Sequence, residues 1–186
     1  MIDWTTGSSG RRLLGSIRSE FLRYKQLAEG ALEQVRDEEL AVQGPGEPGS
    51  ITTICWHIAG NLRSRFTDFL TTDGEKPWRN RESEFDARHV PRSELIEHWQ
   101  RGWDALLDAL NELTDRQLEQ EVVLRGNRLQ VHEALHRSLA HVSYHVGQIV
   151  YIAKGLRGAD WKSLSIPRGQ SDVYNLNPTK ERPRVH

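Results

Sequence analysis

Apolar residues recur three and four positions apart over four long segments of this chain, and no other feature of the sequence constrains its fold as strongly. The segments cover residues 12–40, 50–69, 93–113 and 131–154. This spacing puts apolar side chains on one face of an α-helix, so each segment predicts an amphipathic helix. We therefore expect an all-α chain built as a helical bundle.

The segments that join the first three predicted helices differ in character. Residues 44–49 hold three glycines and two prolines, which cannot continue the first helix. Residues 73–92 have neither a helical nor a strand period and contain aromatic residues, which predicts a long ordered loop that covers a site. Ser93 follows this loop as the expected N-cap of the third helix.

A small hairpin and a tail complete the predicted organisation. Two short β-type runs flank Gly126 and Asn127, which predicts a hairpin over 122–131 before the last bundle helix. The following tail is rich in proline and glycine. We expect an irregular segment over 155–186 that wraps over the bundle and frays near His186.

Length and charge exclude several classes of protein. A chain of 186 residues fits a single domain over 1–186, with its core at about 12–154. The formal net charge is −1 and the charges are interleaved, so the chain lacks the basic surface of a nucleic-acid-binding protein. Its apolar runs are far shorter than the roughly 20 residues of a membrane helix, and residues 1–10 lack the apolar core of a secretory signal. We expect a cytoplasmic protein that binds neither nucleic acid nor a membrane.

The cysteine content limits the chemistry of any metal site. Cys55 is the only cysteine, which excludes an intrachain disulfide and a thiolate zinc cluster. It lies on the apolar face of the second helix, where we expect a buried, unreactive thiol. Any metal ligands must be histidines and carboxylates.

The last long helix carries two pairs of histidines spaced four residues apart, and each pair could share one cation. His132 and His136 match the H-E-x-x-H pattern of zinc proteases, in which the glutamate acts as general base. The extended protease motif would also need a glycine at Leu139 and a third histidine at Val142. Because both are missing, we interpret this match as a product of chance.

The second pair, His141 and His145, lies on the opposite flank of the apolar stripe of this helix, together with Gln148. These histidines are either metal ligands or ordinary side chains that bond water or a backbone carbonyl. A third candidate, His57, lies on the polar side of the second helix. Periodicity alone predicts that this stripe faces solvent; its other members are Gly60, Asn61, Ser64 and Asp68.

Four stretches of sequence carry a resemblance to a known family. They are residues 56–69 (WHIAGNLRSRFTDF), 73–81 (DGEKPWRNR), 141–149 (HVSYHVGQI) and 161–171 (WKSLSIPRGQS). The chain resembles the DinB/YfiT-like superfamily of metal-dependent enzymes, and it is most similar to a subgroup described as a domain of unknown function. The resemblance implies a four-helix bundle with one ligand histidine on the second helix and an H-x-x-x-H pair on the last.

Carried over by position, the resemblance implies that His57, His141 and His145 bind a divalent metal ion, zinc or nickel. Three imidazoles leave an open coordination position, which admits water or a thiol. Relatives in the superfamily are similar to enzymes that transfer low-molecular-weight thiols to electrophiles. We expect thiol transfer more than hydrolysis, with a small thiol as substrate and a homodimer as a plausible assembly. The alternative is a metal-binding or stress-responsive interaction protein without turnover.

Several polar residues are candidates for a supporting role, although each also has a plain structural interpretation. Gln148 could orient a ligand, and Asn61 and Asp68 could line a cleft or support the ligands. The long loop adds three further polar residues, which either bind an anionic substrate or form a salt-bridged loop. These are Arg79, Asn80 and Arg81.

Overall fold

The computed structural model of this chain describes residues 8–44 and 49–179. Parts of three predicted segments therefore lie outside the described residues: most of the N-terminal ten residues, the centre of the Gly/Pro segment 44–49, and the end of the tail near His186.

Long helices dominate the described part of the chain. They are α1 (Ser9–Leu32), α2 (Ile51–Phe66), α3 (Arg92–Glu112) and α4 (Val131–Arg157), followed by the short α5 (Ser171–Asn175). An antiparallel hairpin of β1 (Glu121–Leu124) and β2 (Asn127–Gln130) precedes α4. The predicted all-α fold with a small hairpin is confirmed.

Two helix ends differ from the prediction. The helix predicted over 12–40 ends at Leu32, and a 3-10 turn follows at Asp37–Glu39. The Glu39 carboxylate accepts a hydrogen bond from the backbone N–H of Arg36 at 2.7 Å, which caps that turn. The third helix begins one residue before Ser93, because the carbonyl of Pro91 already accepts the first helical bond from Leu95.

The hairpin turn lies one residue earlier than Gly126-Asn127. Arg125 and Gly126 form the turn, with φ angles of 51° and 74°. Both backbone N–H groups donate to the Asp73 carboxylate at 2.8 Å, which stabilises the left-handed conformation of Arg125. The long loop is therefore tied to the hairpin at the loop's first residue.

The core lies between the long helices. α2 packs against α3 and α4, and α1 packs against α4. The indoles of Trp99 and Trp103 lie fully inside, and Trp99 Nε1 donates to Glu29. Cys55 is buried as predicted, and burial raises the pKa of its thiol.

No helix of the described residues is long and apolar enough to cross a membrane. The boundaries of the domain, the cytoplasmic location and the homodimer stay predictions.

Gly102 permits the close approach of α2 and α3. A Cβ atom at this position would lie 2.6 Å from Ala59 Cα and 2.7 Å from the Ala59 carbonyl oxygen. These are backbone atoms of a buried helix, so they cannot rotate away. The contact between α2 and α3 therefore depends on the absence of a side chain at Gly102.

We predict that Gly102→Ala destabilises the fold by about 1–3 kcal/mol, because the added methyl group forces α2 and α3 apart. The free energy of unfolding from urea titration measures the effect. Gly155→Ala is the matched control, since a Cβ atom there meets nothing within 4 Å. Alanine should stabilise α4 at that position by up to about 1 kcal/mol, and an equal loss in both variants would contradict the packing argument.

Candidate metal centre

The polar side of α2 is buried. His57 is 3% exposed, and Asn61 and Ser64 are buried beside it. The prediction that this stripe faces solvent is therefore wrong for His57, Asn61 and Ser64, whereas Asp68, beyond the end of α2, is exposed. The loop covers the stripe: Ser64 Oγ donates to the Gly74 carbonyl at 2.7 Å and accepts from the backbone N–H of Lys76 at 3.3 Å.

His57 meets His141 and His145 of α4. One ring nitrogen from each of the three lies within 4.8 Å of the other two. His57 Nε2 is 3.1 Å from His141 Nε2, and the rings of His57 and His145 have centroids 4.9 Å apart. α4 presents its two histidines one turn apart, so both rings lie on the side that faces α2.

Hydrogen bonds orient two of these rings. His57 Nδ1 donates to Glu84 Oε2 at 2.8 Å, since a carboxylate only accepts. His145 Nδ1 donates to the amide oxygen of Gln148 at 2.7 Å. Each bond fixes a tautomer whose Nε2 carries a lone pair instead of a hydrogen, which is the form that binds a metal. The orienting role expected for Gln148 has a physical basis in this contact.

Glu84 is itself held by Arg79. The guanidinium makes a two-pronged contact, with Nε to Oε1 and a terminal nitrogen to Oε2, both at 2.8 Å. Both side chains are buried. Burial alone raises the pKa of a carboxyl, but the hydrogen bonds from Arg79 and His57 outweigh it and lower the pKa of Glu84. Glu84 is thus a carboxylate that holds the His57 ring.

Gly60 makes room for this carboxylate. A Cβ atom on Gly60 would lie 2.3 Å from Glu84 Oε1. Gly60 lies one helical turn after His57, so the glycine and the histidine face the same loop. The spacing of these two residues on α2 allows Glu84 to reach the imidazole.

Aromatic contacts fix the 3-10 turn Glu82–Phe85 that carries Glu84. The Phe85 ring packs on His57 with centroids 4.6 Å apart. Arg88 lies over the Trp56 ring at 4.3 Å and donates to the Ser83 carbonyl at 2.7 Å.

The imidazoles of His141 and His145 are held neutral. Burial, together with the nearby His145 and His57, lowers the pKa of His141 to about 3. Burial also lowers the pKa of His145, against the opposing hydrogen bond with Gln148. The Nδ1 atom of His141 is buried without a hydrogen-bond partner among the described residues. Neutral imidazoles at neutral pH are ready to bind a cation without first losing a proton.

A cavity of about 380 Å³ opens beside His57 and His141. α2, the hairpin and α4 supply its walls, and Asn61 lines it as expected for a cleft residue. Asp68 lies outside this wall, in a turn with a φ angle of 49°.

The other histidine pair lies apart from this cluster, and His132 has a structural role. His132 Nδ1 contacts the Leu118 carbonyl at 3.0 Å. Glu133, which the protease pattern would make a general base, accepts a hydrogen bond from the backbone N–H of Gln130 at 2.8 Å and caps α4. The pair has no place in the histidine cluster.

Residues 8–170 match the family described as "Protein of unknown function (DUF1572)". The chain belongs to this family. No curated protein and no solved structure matches it. The DUF1572 match includes all four long helices from their first turn, the loop that carries Glu84, and the three clustered histidines.

Sequence reasoning missed Glu84, the residue that completes the DUF1572 site described above. For the loop residues it left two roles open, binding of an anionic substrate or formation of salt bridges within the loop. Arg79 has the second role, because it pairs with Glu84. Asn80 accepts from the backbone N–H of Ser83 at 3.2 Å. Arg81 pairs with Glu82 and also lines the cavity.

We predict that Arg79→Met destabilises this DUF1572 chain by about 3–5 kcal/mol, because it leaves the Glu84 carboxylate buried with only His57 as a partner. Thermal or urea unfolding measures the loss. Arg101→Met is the control, since Arg101 and Glu97 form an exposed pair that should contribute less than about 1 kcal/mol. Equal effects of the two substitutions would show that the buried pair is unimportant.

Proposed function

We propose that His57, His141 and His145 bind one divalent metal ion, zinc or nickel, and that the chain is a metal-dependent enzyme of the DinB/YfiT-like type. The four long helices would be the bundle of that superfamily. The convergence of three ring nitrogens within 4.8 Å carries the proposal. Histidines without a shared ligand are not expected to bring their ring nitrogens together from two different helices.

The donor set fits a cation. Two ring nitrogens 3.1 Å apart either share a proton or face a common cation. Burial keeps His141 and His145 neutral, as a ligand must be. His57 and His145 donate to the oxygens of Glu84 and Gln148, and such carboxylate and carbonyl acceptors are the usual partners of metal-binding histidines.

A divalent metal held by three imidazoles would keep an open position, where it lowers the pKa of a bound thiol or water. The chain's own residues set the surroundings of that position. Glu84 and Gln148 hold the rings. Apolar side chains of α2, of the turn that follows it and of the hairpin line the cavity and would offer a surface to an apolar acceptor; they are Phe66, Phe69, Val122, Leu124 and Leu129.

Thiol transfer fits the cavity better than hydrolysis does. No aspartate or glutamate is among the described residues that line it, and Glu84 is held by Arg79 and His57. Hydrolysis needs a positioned group that shuttles a proton, whereas a thiolate attacks without one. The substrate sulfur would form a bond to an electrophilic carbon. The leaving group, such as chloride, would take the bonding electron pair, and the thiol proton would pass to solvent.

We predict about one metal ion per chain by elemental analysis of the purified protein, and a loss of that metal in His57→Ala and His141→Ala. His136→Ala is the matched control and should retain the metal, because His136 lies on the other flank of α4. Glu84→Gln should bind metal about 10–100-fold more weakly, since the partner of His57 is altered. Full metal content in a folded His57→Ala protein would overturn the site.

We expect the metal-loaded protein to accelerate the conjugation of a small cellular thiol to a chlorinated or epoxide acceptor. His141→Ala should show only the uncatalysed rate. If a panel of thiols gives no rate above that of His141→Ala while the metal content is normal, thiol transfer is wrong. A metal-binding protein without turnover would then be the better description.

A further inference from the structure

The cavity beside the histidines has an unusual charge. Arginines line it, and acidic residues are absent from its wall in the described part of the chain. The lining arginines come from α2, the long loop, the hairpin turn and α4; they are Arg65, Arg81, Arg125 and Arg137.

Nearby carboxylates balance three of these four cations. Glu75 is shared between Arg65 at 3.2 Å and Arg125 at 2.8 Å. The Asp73 carboxylate adds a second negative charge near Arg65. Arg81 pairs with an exposed glutamate. Arg137 is exposed and has no ion-pair partner among the residues that the structure describes, so its charge is the uncompensated one.

Ser138 adds an unused hydroxyl to the same wall. It is 8% exposed and lines the cavity. A buried helical serine normally bonds a backbone carbonyl of the preceding turn, but Ser138 Oγ is buried without a hydrogen-bond partner. Buried polar atoms are nearly always paired in native proteins. A rotation of the Ser138 side chain about χ1 would turn this unpaired hydroxyl toward the cavity, where a ligand would pair it.

The helix sets the distance between these groups and the histidines. Arg137 precedes His141 by four residues and Ser138 precedes it by three, so all three lie on one face of α4. Four residues span about 6 Å along a helix axis. A ligand that reaches from His141 to Arg137 needs two polar ends about one helical turn apart.

We propose that the cavity binds a small molecule that carries a carboxylate or a phosphate, and that Arg137 and the Ser138 hydroxyl hold this anion one helical turn from His141. The statement that this molecule is the substrate rests on the proposed function. The anion site itself rests only on the lining of the cavity. A guanidinium and a hydroxyl both donate hydrogen bonds, which is what either anion accepts.

Calorimetric titration of EDTA-treated protein tests the proposal without a metal. The probes are 3-phenylpropionate, its neutral amide 3-phenylpropionamide, and phenyl phosphate, at constant ionic strength. We predict that the wild type binds at least one of the two anions about tenfold or more tightly than the amide. The preferred anion separates a carboxylate ligand from a phosphate ligand.

Substitutions in the cavity wall test which residues cause the preference for the anion over the amide. Arg137→Gln should abolish the preference for the anion, and Ser138→Ala should weaken it severalfold. Arg128→Gln is the matched control, because Arg128 is an exposed hairpin arginine that pairs with Glu121 outside the cavity. Equal affinity for anion and amide, undetectable anion binding, or a preference that survives in Arg137→Gln would overturn the proposal.

Repeating the titration on zinc-loaded protein separates this inference from the metal site. An anion preference that appears only with zinc and survives in Arg137→Gln comes from the metal; it overturns the anion site and supports the metal centre. An Arg137-dependent preference in protein whose elemental analysis shows no metal supports the anion site while the proposed function fails.

Discussion

The Glu84 carboxylate, held between Arg79 and His57, is the interaction on which the candidate site depends. A charged carboxylate is stable inside a protein only when its oxygens are paired, and both oxygens of Glu84 are paired here. The Arg79 contact and the His57 contact have different consequences. Arg79 keeps Glu84 ionised, and ionised Glu84 fixes the tautomer of His57. The histidine therefore presents Nε2 to α4 because of a charge that lies on the opposite side of its ring.

This arrangement depends on how the long loop lies on α2. Gly60 removes the side chain that would collide with Glu84, and Ser64 bonds the loop backbone at Gly74 and Lys76. The sequence pattern predicts that this helix face is exposed to solvent. It becomes buried because a loop that can form hydrogen bonds with its polar residues covers it. The small and polar residues of this face are the ones that allow the loop to approach.

Periodicity predicted the long helices and the hairpin because those elements depend on local spacing and on turn residues. It placed His141 and His145 on one helix face for the same reason. His57 could not be found in this way, since its burial depends on a loop that is distant in sequence, and only the family resemblance selected it. Glu84 gave no signal at all. It lies among Glu82, Asp86 and other charged residues of an aperiodic segment, and nothing in the local sequence distinguishes the carboxylate that turns inward.

The loop also connects the histidines with the wall of the cavity. Asp73 holds the hairpin turn, the backbone N–H of Gly74 donates to the Val123 carbonyl at 2.8 Å, and Glu75 binds Arg125. A few residues later the same loop supplies Arg79 and Glu84. A displacement of this segment would therefore alter the orientation of His57 and the position of the hairpin together. The two parts of the site that a ligand would touch, the histidine cluster and the cationic wall, are held in position by one stretch of backbone, to which only Arg81 of the named groups belongs.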